Sequence, residues 1–291
     1  MMNSCEDNVQ SLDIKAVCSS IALRNPYFAF LALERRSDIG VCGTFAAEHC
    51  TGHERGPVAA AELVRHLATL GSCAAVVNGA SAPAYYLGTK GRLKLLRNAL
   101  DREQGGVFLA VSEVLSQDRK SLVAQSVASG QDFLAHFHCE YQVLPEPIFA
   151  RTFKHYRTEP VQDPDSSPYK EPIELDFEPA QQLSLTAHSR PLPGGRFAGH
   201  FTEYPAWPAS VYAETVSRVA SRLLHHMLDR EIDYSIVRMD IDALRLISAS
   251  DSVSFHITCV SASRLLSHYV FSSEIRRGDT VAATIEMEVH V

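Results

Sequence analysis

The stretch Ala198-Gly199-His200-Phe201-Thr202, running on to Pro205, Pro208 and Glu214, has an earlier counterpart in Ala47-Glu48-His49-Cys50-Thr51, which runs on to Pro57 and Glu62. In both copies the histidine precedes its proline by eight residues, and the glutamate follows that proline by five residues in the first and six in the second. The agreement continues beyond the acid. Glu62-Leu63-Val64-Arg65-His66-Leu67-Ala68-Thr69 lies against Glu214-Thr215-Val216-Ser217-Arg218-Val219-Ala220-Ser221. A pattern written twice, about 150 residues apart, is the mark of a duplicated unit.

Length and composition agree with two units. The 291 residues exceed the usual single domain of roughly 100–150. Apolar content of 46% and charged content of 21% are ordinary for a globular protein, and the net charge of −7 argues against nucleic acid or an acidic membrane surface as partner. The seven cysteines, Cys5, Cys18, Cys42, Cys50, Cys73, Cys139 and Cys259, are odd in number and never form a C-x-x-C pair. They read as reduced thiols in a cytoplasmic protein. Residues 1–15 lack a basic segment followed by an apolar run, and nowhere do eighteen apolar residues come together, so neither a signal peptide nor a membrane span is expected.

The prolines mark a boundary. Residues 159–172 hold four of them among Asp, Ser, Gln and Lys, which disfavours both helix and central strand. The division expected is 1–158, a linker at 159–172, and 173–291. In the first unit, 27–33 and 39–45 read as strands, 58–77 as an Ala-rich helix closed by Asn78-Gly79, and 84–87, 106–115, 121–128 and 132–144 as strands. The second unit repeats the order. A helix over 209–228 carries the stripe Tyr212, Val216, Val219, Leu223 and Met227, and strands over 234–246, 252–260, 265–273 and 279–291 alternate with period two. Each half is expected to be α+β, one long helix against a curved antiparallel sheet.

These residues carry a resemblance. A helix wrapped by an antiparallel sheet resembles the hot-dog fold, and two such halves resemble a tandem double hot-dog. Gly199-His200-Phe201, Pro205, Pro208 and Glu214 resemble the signature of β-hydroxyacyl-ACP dehydratases, G-H-F-P-G-x-P-x-x-P-G with a glutamate fourteen residues after the histidine. Thr202, Glu203 and Ala209 stand where that signature has proline and two glycines, a divergence pointing to polyketide-like or lipid secondary metabolism rather than housekeeping fatty-acid synthesis. Glu62-x-x-x-His66 resembles the helix pattern of polyketide dehydratase domains.

The resemblance implies a dehydratase of 3-hydroxyacyl thioesters carried on an acyl carrier protein or coenzyme A. Its two units share their tunnels, so the histidine of one works with the carboxylate of the other: His200 with Glu62, and His49 with Glu214. The residue types suit that chemistry. A neutral histidine is a base near neutral pH, and a carboxyl group in an apolar tunnel keeps its proton and acts as the acid. Helix starts after Pro57-Val58 and Pro208-Ala209 offer N–H donors for the thioester carbonyl. His66, Arg218 and Phe201 complete the expected substrate contacts. The phosphopantetheine arm is expected between the units, with no metal or redox cofactor, and further dimerisation stays open.

Two other readings remain open, a hot-dog acyl thioesterase and a non-catalytic pseudo-dimer that binds acyl chains or a partner. Cys50 beside His49 reads as a structural thiol rather than a nucleophile. His225-His226 and His136-x-His138 lack a third ligand at metal spacing, and Pro193-Gly194-Gly195 reads as a turn.

Overall fold

A computed structural model describes residues 10–38, 40–49, 51–79, 82–96, 106–160 and 166–291. The N-terminal half runs β1 (Gln10–Ser11), α1 (Ile14–Ile21), β2 (Phe30–Arg35), β3 (Gly40–Ala46), α2 (Ala60–Val77), β4 (Ala84–Leu95), β5 (Val107–Gln117), β6 (Ser121–Ser129), β7 (Phe133–Pro145) and α3 (Glu146–Thr152). The C-terminal half runs β8 (Asp176–Phe177), β9 (Ser184–Ser189), α4 (Ala209–Leu228), β10 (Ser235–Ala243), β11 (Val253–Ser263), β12 (His268–Arg277) and β13 (Thr280–His290).

All thirteen strands form one sheet, in the order β1-β2-β3-β5-β6-β7-β4-β10-β13-β12-β11-β9-β8. Outward from the β4–β10 junction the strands read β7, β6, β5, β3 on one side and β13, β12, β11, β9 on the other, so the duplication seen in the motif extends to the topology. The junction is antiparallel, from Arg238 opposite Lys94 to Asp242 opposite Lys90. Arg92 closes it with a two-pronged bond to Asp242 at 2.9 and 3.2 Å. This charged pairing explains why β4 continues to Leu95, well past the expected end at residue 87: Lys90 and Arg92 break the apolar pattern, but Lys90 pairs with Glu140 of β7 at 3.5 Å and Arg92 with Asp242 across the junction.

Each half wraps its sheet around one helix. Strands β3 to β7, with α1 and α4, surround α2. Of its residues only Ala68, Val76 and Val77 are even partly exposed. By length and composition α2 is apolar enough to cross a membrane, and that surface is spent on the interior, where 83% of it is buried. The approach of β7 is close: a Cβ on Gly71 would sit 2.3 Å from the Tyr141 hydroxyl, which donates to Ala68 O at 2.8 Å. Helix α4 is amphipathic, burying Tyr212, Val216, Val219, Ala220 and Leu223 at helical spacing; Met227, at the end of the expected stripe, is partly buried.

Three features depart from expectation. Helix α1 was not anticipated, although Asp13 caps it by accepting from Lys15 N at 2.9 Å and Val17, Cys18 and Ile21 supply its buried face. Helix α3 and the strands β8 and β9 are likewise additional. Residues 161–165 of the expected linker lie outside the described residues, but its later part is not a solvated tether: Tyr169 is 5% exposed, and Ile173, just beyond it, 2%.

Candidate active site

His200 is held where the two halves meet. Leu23 bridges to it as an isolated antiparallel pair, and Arg24 N–H donates to Gly199 O at 2.9 Å. Gly199 has φ +83°, and a Cβ there would lie 2.2 Å from Arg24 O and 2.8 Å from Tyr27 N. Only glycine permits this approach. The His200 ring contacts Tyr27, with centroids 4.8 Å apart, and Phe201 at 4.1 Å. Its Nδ1 is 3.2 Å from Ala206 O. A carbonyl only accepts, so Nδ1 carries the proton and Nε2 keeps a free lone pair. Burial pushes the imidazole pKa down to about 3, against a smaller upward pull from the Ala206 bond. The ring is neutral at physiological pH.

That ring faces a cavity of about 530 Å³, walled by Tyr27, Val64 and Thr69 from the N-terminal half and by Trp207, Ser210 and Tyr212 from the C-terminal half. Helix α4 begins at its edge. Pro208 is the N-cap, with no side-chain capping bond, and its carbonyl accepts from Val211 N and Tyr212 N at 3.0 and 3.1 Å. The N–H groups of Ala209 and Ser210 precede those bonds, and both residues line the cavity, so a positive helix end borders the space beside His200. No aspartate or glutamate is among the described residues that line it.

The site around His49 is built differently. His49, Glu62 and Glu214 line a second cavity of about 20 Å³, room for one water and not for an acyl group. Both oxygens of Glu62 are occupied as acceptors, from Glu48 N at 2.7 Å and His49 N at 3.1 Å. At the start of α2 the Ala60 N–H donates to Glu54 at 2.7 Å. The donor that remains open on α4 is therefore filled on α2. Glu54 is buried, which raises its pKa to about 7. Burial also raises Glu214, with Arg218 and Arg196 opposing, and lowers His49 to about 4.

The later part of the expected linker, with Ile173 just beyond it, lines this cavity. Tyr169 donates to Ala198 O at 2.9 Å, lies beneath the Arg65 guanidinium at 5.1 Å and meets the Tyr27 ring edge-on at 5.2 Å. Arg218 donates to Ile173 O at 2.6 Å, and Arg196 to Glu171 O.

No family model matches the sequence, and no curated protein matches it. Solved structures do. The tesB protein of Mycobacterium avium subspecies paratuberculosis aligns with a TM-score of 0.58 at 12% identity, covering 96% of this chain and 99% of that one. The 12:0-ACP thioesterase of Umbellularia californica gives 0.54 at 10%, covering 92% and 99%. A conserved hot-dog protein of unknown function from Alicyclobacillus acidocaldarius gives 0.52 at 12%, covering 92% and 98%. The fold is a tandem double hot-dog.

Within this double hot-dog the expected residues fall into three groups. His200, Phe201 and Ala209 line the large cavity, and Pro208 caps the helix at its edge. His49 and Glu214 line the small cavity together, as their pairing requires, but Glu62 joins them there. His200 and Glu62 line different cavities, which share Ser210 as a wall. The remaining residues serve the interior. His66 is stacked on Phe45 at 4.1 Å with Nε2 3.4 Å from Glu62, and its burial holds its pKa well below the usual value. Pro57 and Val58 are buried ahead of α2, which starts only at Ala60, so Pro57 does not shape its first turn as Pro208 shapes that of α4. Arg218 holds Ile173 O rather than facing the large cavity.

Cys50 lies outside the described residues. His225 bonds to Ile232 O at 3.0 Å, and among the described residues no group of three or more His, Cys, Asp or Glu is placed to hold a metal ion. Sequence reasoning missed Tyr27, Ser210 and Glu54. None carried a signal: Tyr27 and Ser210 meet across the interface, and Glu54 accepts from Ala60 N from six residues upstream, a spacing that no capping pattern marks.

Proposed function

We propose that this double hot-dog hydrolyses an acyl thioester, with His200 as general base. One observation carries the reading: a histidine with its Nδ1 proton fixed on Ala206 O faces a 530 Å³ cavity at the open start of α4, in a wall without carboxylates among the described residues. Hydrolysis needs a base for water and donors for the oxyanion. Its leaving thiolate departs without a separate acid, which suits this wall.

In the proposed reaction Nε2 of His200 takes a proton from water as the oxygen bonds to the thioester carbonyl carbon. The negative charge moves to the carbonyl oxygen, where the N–H groups of Ala209 and Ser210 receive it. Collapse breaks the C–S bond, and the imidazolium returns its proton to the departing sulfur. A positioned base contributes roughly 10²–10⁴-fold. The structural neighbour named as a 12:0-ACP thioesterase supports the class of reaction, since it shares the fold over 92% of this chain.

A second reading, dehydration of a 3-hydroxyacyl thioester, is favoured by one feature. The Tyr27 hydroxyl, 3.4 Å from Ser210 Oγ, belongs to the residue whose ring contacts that of His200, and supplies a proton source for a departing hydroxyl in a cavity that Glu62 does not line. Incubation with a 3-hydroxyacyl thioester separates the two. Free thiol with intact hydroxyacid supports hydrolysis, and a 2-enoyl thioester replaces it with dehydration.

A further inference from the structure

We propose that the exposed end of the large cavity is a phosphate site, in which Arg245 and Arg277 take the phosphate of a phosphopantetheine arm; this rests on the acyl-thioester reading above. The carrying observation is an asymmetry of charge. The chain has 34 acidic and 27 basic residues, yet among the described residues no carboxylate lines this cavity, and its permanently charged lining residues are Arg245 and Arg277. Both are exposed, and both stand at the end of the cavity that also exposes Gln142, Leu244 and Thr280.

The rim is built to hold them there. Arg245 N and Leu244 N both donate to Ala282 O, at 3.0 and 2.8 Å, and the Tyr156 hydroxyl donates to Leu246 O at 3.1 Å, which fixes the segment carrying Arg245 between β13 and the turn after α3. Arg245 makes no ion pair among the described residues. Arg277 uses its Nε on Asp251 at 3.1 Å, which leaves its terminal nitrogens for another acceptor. Two guanidinium groups match phosphate oxygens in geometry as well as in charge.

An exposed arginine is ordinarily a solvated one. Here two of them border a cavity that reaches the His200 ring and is otherwise apolar or neutral, so an acyl thioester seated at His200 leads its arm out past them. Coenzyme A and the prosthetic arm of a carrier protein share this phosphate.

Calorimetric titration of the whole chain with phosphopantetheine, pantetheine and coenzyme A tests the site without turnover. The expected result is that phosphopantetheine binds at least about tenfold more tightly than pantetheine, which lacks the phosphate, and that Arg245→Glu removes that difference while leaving pantetheine within about twofold. Arg245→Lys, which keeps the charge and loses the fork, retains part of it. Coenzyme A binding more tightly than phosphopantetheine points to a nucleotide carrier, and equal affinity to a carrier protein's arm; both results uphold the phosphate site. Equal binding of phosphopantetheine and pantetheine, no binding of phosphopantetheine, or a difference untouched by Arg245→Glu overturns it. Failure of the hydrolysis reading shows separately, as binding intact with no thiol released.

Discussion

The ring of Tyr27 lies 4.8 Å from that of His200, and the two residues come from different halves of the chain. Tyr27 also reaches Ser210 Oγ at 3.4 Å and receives the edge of Tyr169. The histidine is thus positioned by the first unit and supplied by the second. Tyr27→Ala is expected to lower kcat/KM for an acyl thioester by about tenfold or more through loss of this support, with Tyr27→Phe, which keeps the ring, within about threefold. Equal loss in both variants would shift the role from the ring to the hydroxyl.

Gly199 joins the same contact from the backbone. Replacing it with alanine places a Cβ 2.2 Å from Arg24 O at a φ of +83°. Gly199→Ala is expected to lose about 2–4 kcal/mol in urea unfolding and to weaken activity beyond what that loss explains. A variant as stable as the parent would mean that the 23–28 segment is not packed against His200 in solution.

Acid lability follows from histidines held neutral by desolvation, His200, His49 and His66. His200 and His49 have folded pKa values near 3 and 4, below the usual 6.5. Between pH 6.5 and those values the unfolded chain binds protons that the folded chain refuses, so stability is full above about pH 6.5 and falls as the pH drops toward 3, by several kcal/mol in all. His200→Leu removes its share, and urea unfolding from pH 7.5 to 4 should then show a shallower decline. Parallel curves for the two proteins would contradict a neutral, desolvated His200.

Glu54 acts in the opposite sense. Its folded pKa of about 7 lies above the ordinary 4.5, so the folded chain holds a proton there and the associated stability, present below about pH 4.5, is lost as the pH rises through 7. Glu54→Gln keeps an acceptor for Ala60 N–H and has no charge to desolvate. The variant should be more stable than the parent at pH 8.5 by about 1–3 kcal/mol and close to it at pH 5. Lower stability at pH 8.5 would show that the carboxylate is paired rather than merely buried.

Much of the fold was legible because it is written in local periodicity. The period-two alternation of β6 and β13 and the spacing of Tyr212, Val216 and Val219 on α4 declare strand and helix without tertiary information. The doubled histidine motif declared the duplication, and the sheet repeats it in the order of its strands on either side of the β4–β10 junction, with β1 additional. The site was legible only in part. His200 and its glycine were found because their constraint is carried in adjacent residues. The surroundings of Glu62 were not, because it lies in register with the family's acid while both its oxygens accept from the amides of Glu48 and His49. Such a bond between loop and helix leaves no trace in spacing. Equally invisible was Tyr169, whose proline-rich neighbourhood has the composition of a free linker while its ring lines the small cavity and meets Tyr27 edge-on.

The central claim is that one site, centred on His200, processes an acyl thioester and that the His49 site is closed. Thiol release from a panel of acyl-coenzyme A and acyl-pantetheine thioesters, followed for the parent, His200→Ala and His49→Ala, tests it directly. The account predicts turnover by the parent, a loss of about 10²–10⁴-fold in kcat for His200→Ala, and less than about threefold for His49→Ala. Turnover unaffected by His200→Ala, or lost equally in both variants, would contradict it.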